Sequence, residues 1–415
     1  MANNVFRYFY LLILTFLISS CAQKRLLETT GPAKGADIVS ATMPAKVISI
    51  RPGAERTRHY FHKVKHDKRV AVVANQTSLV HETHLVDTLL SEGINVVKVF
   101  SPEHGFRGIA EAGALINNQT DAKTGLPIVS LYGNSKKPSP EDLNQIDIVI
   151  FDLQDVGTRF YTYISTLTLV MEACAEINIP ILVLDRPNPH GFYVDGPVLE
   201  PEYQSFVGMH PIPVVHGMTM AEYARMINGE RWLKGEVQAD LDWVECSGYS
   251  HKSHYRLPVR PSPNLPDMDA IYLYPSLCFF EGTHVSVGRG TDFPFTVIGH
   301  PWFKQGSFTF TPESRTEAVN PPHKSKKCYG YNLRDSAESI IQNPGIRLNW
   351  LLEMYHSDSS QSTFFNSFFN KLAGNAELRQ QIEAGFTEQQ IKDSWQPGIQ
   401  QFMEIRQKYL LYRDF

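Results

Sequence analysis

The sequence predicts an α/β protein: a Rossmann-like, mostly parallel sheet domain followed by a second, smaller α/β (α+β) domain. Three observations predict this. Short Val/Ile/Leu-rich runs alternate with helix-length segments from Lys68 to about Asp185, the pattern of strands covered by helices on both faces. The stretch 45–415 exceeds what a single hydrophobic core usually supports. Near Gly248 the texture changes, and the proline-rich "RLPVRPSPNLPDM" that follows must run extended rather than helical.

The elements follow in order. "KRVAVVAN" reads as the first strand, and "HLVDTLLSEG" as a helix stopped by Gly93. "INVVKVF", "LPIVSLYG" and "DIVIFDL" are further strands. A long helix is expected from Phe160 to Ile177, with Asn178 as its stop, and "IPILVLD" is the next strand. The sheet domain is assigned to 45–248. The second domain takes 249–415, mixing short strands with the helical tail "QIKDSWQPGIQQFMEIRQKYLLYRDF".

Ahead of these lies a leader. "MANNVFRYFYLLILTFLISSC" carries Arg7, an apolar run from Tyr8 to Ile18, and small residues before Cys21. That is a secretory signal, too short to serve as a membrane span. Its ending resembles a lipobox, so residues 1–21 are read as a lipoprotein signal with lipidation at Cys21. Residues 22–44 are polar and punctuated by Gly and Pro, a tether. The expectation is an exported, periplasmic protein that touches the membrane through its lipid alone.

Composition excludes several classes. A hydrophobic share of 42% with 20% charged residues fits a globular chain. A net charge of −4 and a pI near 6.4 argue against a nucleic-acid partner. Cys174, Cys246, Cys278 and Cys328 form no CxxC pair and no zinc spacing. The first strand runs into "NQTSLV" without GxGxxG, and no Walker A motif occurs, so no nucleotide cofactor and no metal are expected. "GRGT" at Gly288–Thr291 reads as a tight turn, with anion binding through its backbone as the alternative.

Chemistry gathers at the strand ends. Glu103 and His104 follow "NVVKVF", Asp152 and Asp155 follow "DIVIF", and Asp185 and Arg186 follow "IPILVL". In an open parallel sheet these ends share one edge, where ligands bind. "DLQDVGTRFYTY" adds Gln154 and Arg159 among aromatic residues, a mixture suited to sugars: rings stack on C–H groups while amides and acids bond hydroxyls.

The blocks "ANQTSL", "FSPEHGFRG", "DLQDVGTRFYTY", "DRPNPHG", "VHGMTMAEYARMING", "RPSPNLP", "YPSLCFFEGT" and "SVGRGTDFPF", in this order, resemble the exo-β-N-acetylmuramidases of the NamZ type, glycosidases of peptidoglycan turnover. The resemblance runs from about Val70 to the C-terminus. It implies a cleft between the two domains and removal of N-acetylmuramic acid (MurNAc) from non-reducing ends of MurNAc–GlcNAc saccharides. Glycoside hydrolysis needs a protonated carboxyl for the leaving oxygen and commonly a second carboxylate across the anomeric carbon. Glu103, on its strand-end turn behind Pro102, is the expected acid. Asp152 leads for the second role, with Asp155 and Glu281 as alternatives. The lactyl carboxylate calls for a cation, with Arg159, Arg186, Arg260 and Arg289 as candidates. Gln154, Asp155, Asp185, Asn264, His104 and His216 complete the expected substrate contacts. Two rivals stand beside this reading. One is a metal-dependent hydrolase built on His104, Asp152, Asp185 and His216. The other is a non-catalytic lipoprotein that holds cell-wall glycans.

Overall fold

In the computed structural model, the described residues are 49–65, 67–103, 105–107, 119–133 and 135–415. The leader, Cys21, the tether and His104 lie outside them. The first strands are β1 (Val70–Ala74), a small hairpin of β2 (Leu79–Val80) and β3 (Thr83–His84), and β4 (Val96–Ser101). Then come β5 (Gln119–Thr120), β6 (Pro127–Ser130), β7 (Ile148–Asp152), β8 (Ile181–Leu184) and β9 (Leu241–Val244). Among the described residues the main sheet has the order β5-β6-β4-β1-β7-β8-β9. All neighbours are parallel except β5, which runs antiparallel to β6 at the edge. Taking the parallel strands in chain order gives 3-2-1-4-5-6, the doubly wound Rossmann arrangement, whose direction of winding reverses between β1 and β7.

The apolar runs explain the layers. In β1, Ala71 and Val73 pack on one face of the sheet while Val70, Val72 and Ala74 pack on the other. Both faces are buried, so the strand has no polar alternation. The helix Leu85–Ser91 covers one face and the helix Tyr163–Glu176 the other. Asn178 stops the latter in the left-handed region at φ 58. The core on that second face continues through Tyr272, Phe279 and Phe295 to Leu351 and Phe402. Residues 48–415 therefore form one compact unit.

The C-terminal part holds an antiparallel sheet in the order β10-β12-β11, from β10 (Val297–His300), β11 (Phe308–Phe310) and β12 (Cys328–Asn332). Helices follow it in the chain, which then returns to the main sheet. Tyr412 donates to Asp185 Oδ2 at 2.5 Å, and Leu411 N donates to Glu222 Oε1 at 2.8 Å. Cys174, Cys246, Cys278 and Cys328 are buried free thiols.

Candidate active site

Strand β4 ends at Ser101, and Pro102 breaks the ladder so that Glu103 falls on the turn beyond the sheet's carboxyl edge. There Glu103 lines a narrow cavity of about 90 Å³. The start of the helix Tyr163–Glu176 supplies Phe160, Tyr161 and Tyr163; the proline-rich segment supplies Ser262 and Asn264; the C-terminal part supplies Tyr274, Arg289 and Phe295. Rigid contacts hold these walls. Tyr163 accepts from Asn75 Nδ2 at 2.7 Å, and Tyr161 donates to the Pro261 carbonyl at 2.9 Å. Phe160 meets Tyr274 edge-on at 5.3 Å, and Tyr274 meets Phe295 at 5.0 Å.

The "GRGT" turn works by presenting a side chain. Gly288 and Gly290 both take φ 79, so the backbone doubles tightly on either side of Arg289. Arg289 Nε donates to Glu281 Oε1 at 2.6 Å, and its guanidinium lies 5.1 Å from the centre of the Phe295 ring. Its two terminal nitrogens make no hydrogen bond among the described residues. Burial pushes the Glu103 carboxyl above its ordinary range. The neighbouring Tyr132 hydroxyl and Arg289 pull it back, while Glu281 pushes it further up. Of the three carboxylates weighed as its partner, Glu281 is the one that acts on Glu103.

The other expected residues sit elsewhere, and each placement has a physical reason. Asp152 is fully buried and accepts from Arg186 Nε and Nη2 at 2.6 and 2.9 Å. Each consumes the other, so neither lines the cavity. Asp155 caps the turn at Gly157 N at 2.6 Å, and burial drives its pKa up to about 7. His216 lies 3.8 Å from it, with a pKa pushed down to about 3, chiefly by burial. Gln154 donates to the carbonyls of Asp155 and Pro187. Asp185 is committed to Ala221 N and Tyr412. Arg159 is buried and donates to four carbonyls, those of Pro197, Ile212, Leu372 and Ala373, so it staples loops rather than meeting an anion. Arg260 exposes its side chain; its carbonyl accepts from Gln76 Nε2 at 3.3 Å. Asn264 does line the cavity, with Nδ2 on the Glu317 carbonyl and a buried Oδ1 that has no partner among the described residues. His104 lies outside the described residues. The residues of the metal-hydrolase reading that are described hold separate partners, and no group of three His, Cys, Asp or Glu among the described residues is disposed to ligate a metal.

Sequence reasoning passed over Tyr132, which follows β6 in "SLYG", and Asn75 at the end of β1. The signal was available: both occupy strand ends, as Glu103 does, but neither is ionised at neutral pH and so neither drew attention. Tyr161 and Tyr163 are buried, and they also face the cavity.

Residues 70–269 match the family "Exo-beta-N-acetylmuramidase NamZ, N-terminal", and residues 272–412 match its C-terminal counterpart. The peptidoglycan β-N-acetylmuramidase NamZ of Bacillus subtilis (strain 168) is 38% identical over 395 residues, covering 90% of this chain and 94% of that protein. Crystal structures of two DUF1343-family proteins of Bacteroides fragilis NCTC 9343 are also similar. One has a TM-score of 0.83 at 47% identity, covering 88% of this chain and 100% of its own. The other has a TM-score of 0.71 at 28% identity, covering 88% and 99%. With both halves matched in order, the chain belongs to the NamZ family of exo-β-N-acetylmuramidases.

Proposed function

We infer that the protein is an exo-acting β-N-acetylmuramidase, hydrolysing the terminal non-reducing MurNAc of peptidoglycan-derived MurNAc–GlcNAc saccharides with carboxylate acid–base chemistry. One observation carries the assignment of roles: of the expected acids, Glu103 lines the aromatic cavity, and burial favours its protonated form. Glu103 delivers a proton to the leaving glycosidic oxygen. Glu281 takes the place first given to Asp152 as the second carboxylate, because Asp152 is spent on Arg186. Arg289 meets the lactyl carboxylate through its terminal nitrogens. The Asn264 Oδ1 accepts from a substrate N–H or hydroxyl, which removes an unpaired buried acceptor.

Export and a lipid on Cys21 belong to the same reading, supported by the apolar leader ending in "ISSC". The wall outside the cytoplasmic membrane is where such saccharides arise.

The deciding experiment is Glu103→Gln, which keeps the shape and removes the acid. Its fold, followed by circular dichroism and melting temperature, stays intact. Release of MurNAc from MurNAc–GlcNAc falls by about 10²–10⁴. Near wild-type release would sink the assignment.

A further inference from the structure

We propose that the groove walled by Trp232, Gln204 and Phe206 is a second saccharide site, holding the reducing-end continuation of the glycan whose terminal sugar occupies the Glu103 cavity. The proposal rests on the glycosidase reading above. The first support is continuity. The loop after β6 carries Tyr132, whose hydroxyl stands near enough to the Glu103 carboxyl to favour its ionised form. Four residues on, Lys136 stands 4.5 Å over the Phe206 ring, and Lys137 Nζ reaches Glu172 Oε1 at 2.6 Å. Phe206 lines a cavity of about 270 Å³, and Glu172 lines one of about 490 Å³. The two cavities share Leu169, Gln204 and Met209, so they adjoin. Tyr132 beside the acid and Lys136 at the far groove are thus only four residues apart.

The second support is chemistry. Trp232 is half-buried and stacks on His210, with ring centres 4.9 Å apart and planes 19° from parallel. His210 is fixed in turn against Thr168 Oγ1 at 3.1 Å. The result is a flat aromatic surface whose orientation is settled before a ligand arrives, so binding costs little ordering entropy. Gln204 and Glu172 stand on the same groove as the indole. A ring face beside an amide and a carboxylate suits a hexosamine, with C–H groups on the indole and hydroxyls or acetamido N–H on the polar groups. Lys136 and Lys234 add positive charge at either end, matching the lactyl carboxylates of internal muramic residues. That charge match favours a glycan over a neutral partner.

The test compares a chromogenic MurNAc glycoside, which fills the cavity alone, with peptide-free MurNAc–GlcNAc di-, tetra- and hexasaccharides. In the wild type, KM falls by roughly five- to tenfold from disaccharide to hexasaccharide. Trp232→Ala removes that gain and leaves kinetics on the glycoside within about twofold, whereas Trp232→Phe, which keeps a ring, retains most of it. Hexasaccharide binding to Glu103→Gln, titrated by intrinsic tryptophan fluorescence, gives a readout free of turnover and shows the same dependence on Trp232. If no saccharide is cleaved but the hexasaccharide binds through Trp232, the glycosidase reading fails and the groove stands. A KM flat with chain length in the wild type overturns the groove. So does equal loss on glycoside and hexasaccharide in Trp232→Ala, or a gain confined to peptide-bearing glycans.

Discussion

Arg289 and Glu281 form an ion pair at 2.6 Å beside Glu103, and the two members act on its proton in opposite senses. The carboxylate disfavours a second negative charge, and the guanidinium favours one. Glu103 is therefore poised by a balance that single substitutions tip in predictable directions.

The pH dependence of kcat/KM follows from that balance. A general acid must be protonated, so activity falls as pH rises through the Glu103 pKa, which burial sets above the ordinary carboxylate range. Glu281→Gln removes the second carboxylate, so kcat/KM falls at every pH; it also deletes the like charge, which lowers the Glu103 pKa and moves the alkaline limb of the remaining activity to lower pH. Tyr132→Phe deletes a donor that favours the carboxylate and moves the limb to higher pH. Both displacements are read from rate profiles on a MurNAc glycoside. Shifts in the same direction for both variants would contradict the arrangement.

Selectivity should reside in Arg289. A charge-assisted pair with the lactyl carboxylate is worth about 1.5–3 kcal/mol, or roughly ten- to a hundredfold. Arg289→Gln is expected to reduce the preference for MurNAc over GlcNAc glycosides by that factor, with Arg289→Lys between. An unchanged ratio of kcat/KM values would assign the lactyl contact to another residue.

Arg159 gives the contrasting case of an arginine that matters for stability. Arg159→Met strands the buried carbonyls of Pro197, Leu372 and Ala373, while that of Ile212 keeps the Leu199 N–H; at about 1–3 kcal/mol for each unpaired carbonyl, a loss of at least about 3 kcal/mol is expected. Calorimetry should show a melting temperature lower by several degrees. At low temperature kcat/KM should stay near wild type; a selective loss of KM there would return Arg159 to the substrate.

Lipid anchoring is tested by fractionation. Cys21→Ser removes the acceptor thiol, and the protein is expected to leave the membrane fraction for the soluble one. Retention in the membrane at wild-type levels would rule out anchoring through this residue.

The fold was legible because buried parallel strands leave an unmistakable apolar trace. "AVVA" and "IVIF" have no polar alternation, since both faces of the sheet are covered. Strand β9 was missed: "LDWV" is short and interrupted by Asp242, and it pairs only along one edge. At the site, position along the strands was readable and side-chain commitment was not. Asp152 and Glu103 look alike in sequence, each an acid at a strand end. Only packing shows that Arg186, 34 residues on, has already claimed Asp152. Arg159 misled for the same reason, because its acceptors are carbonyls that no sequence pattern announces.

The hydrogen bond from Tyr412 to Asp185 spans 227 residues, and Glu222 is joined to Leu411 in the same place. During synthesis the first two hundred residues emerge long before the segment that completes their packing. The Rossmann half is thus left with an open seam until the ribosome has released the final residues, and its closure is a late, long-range event.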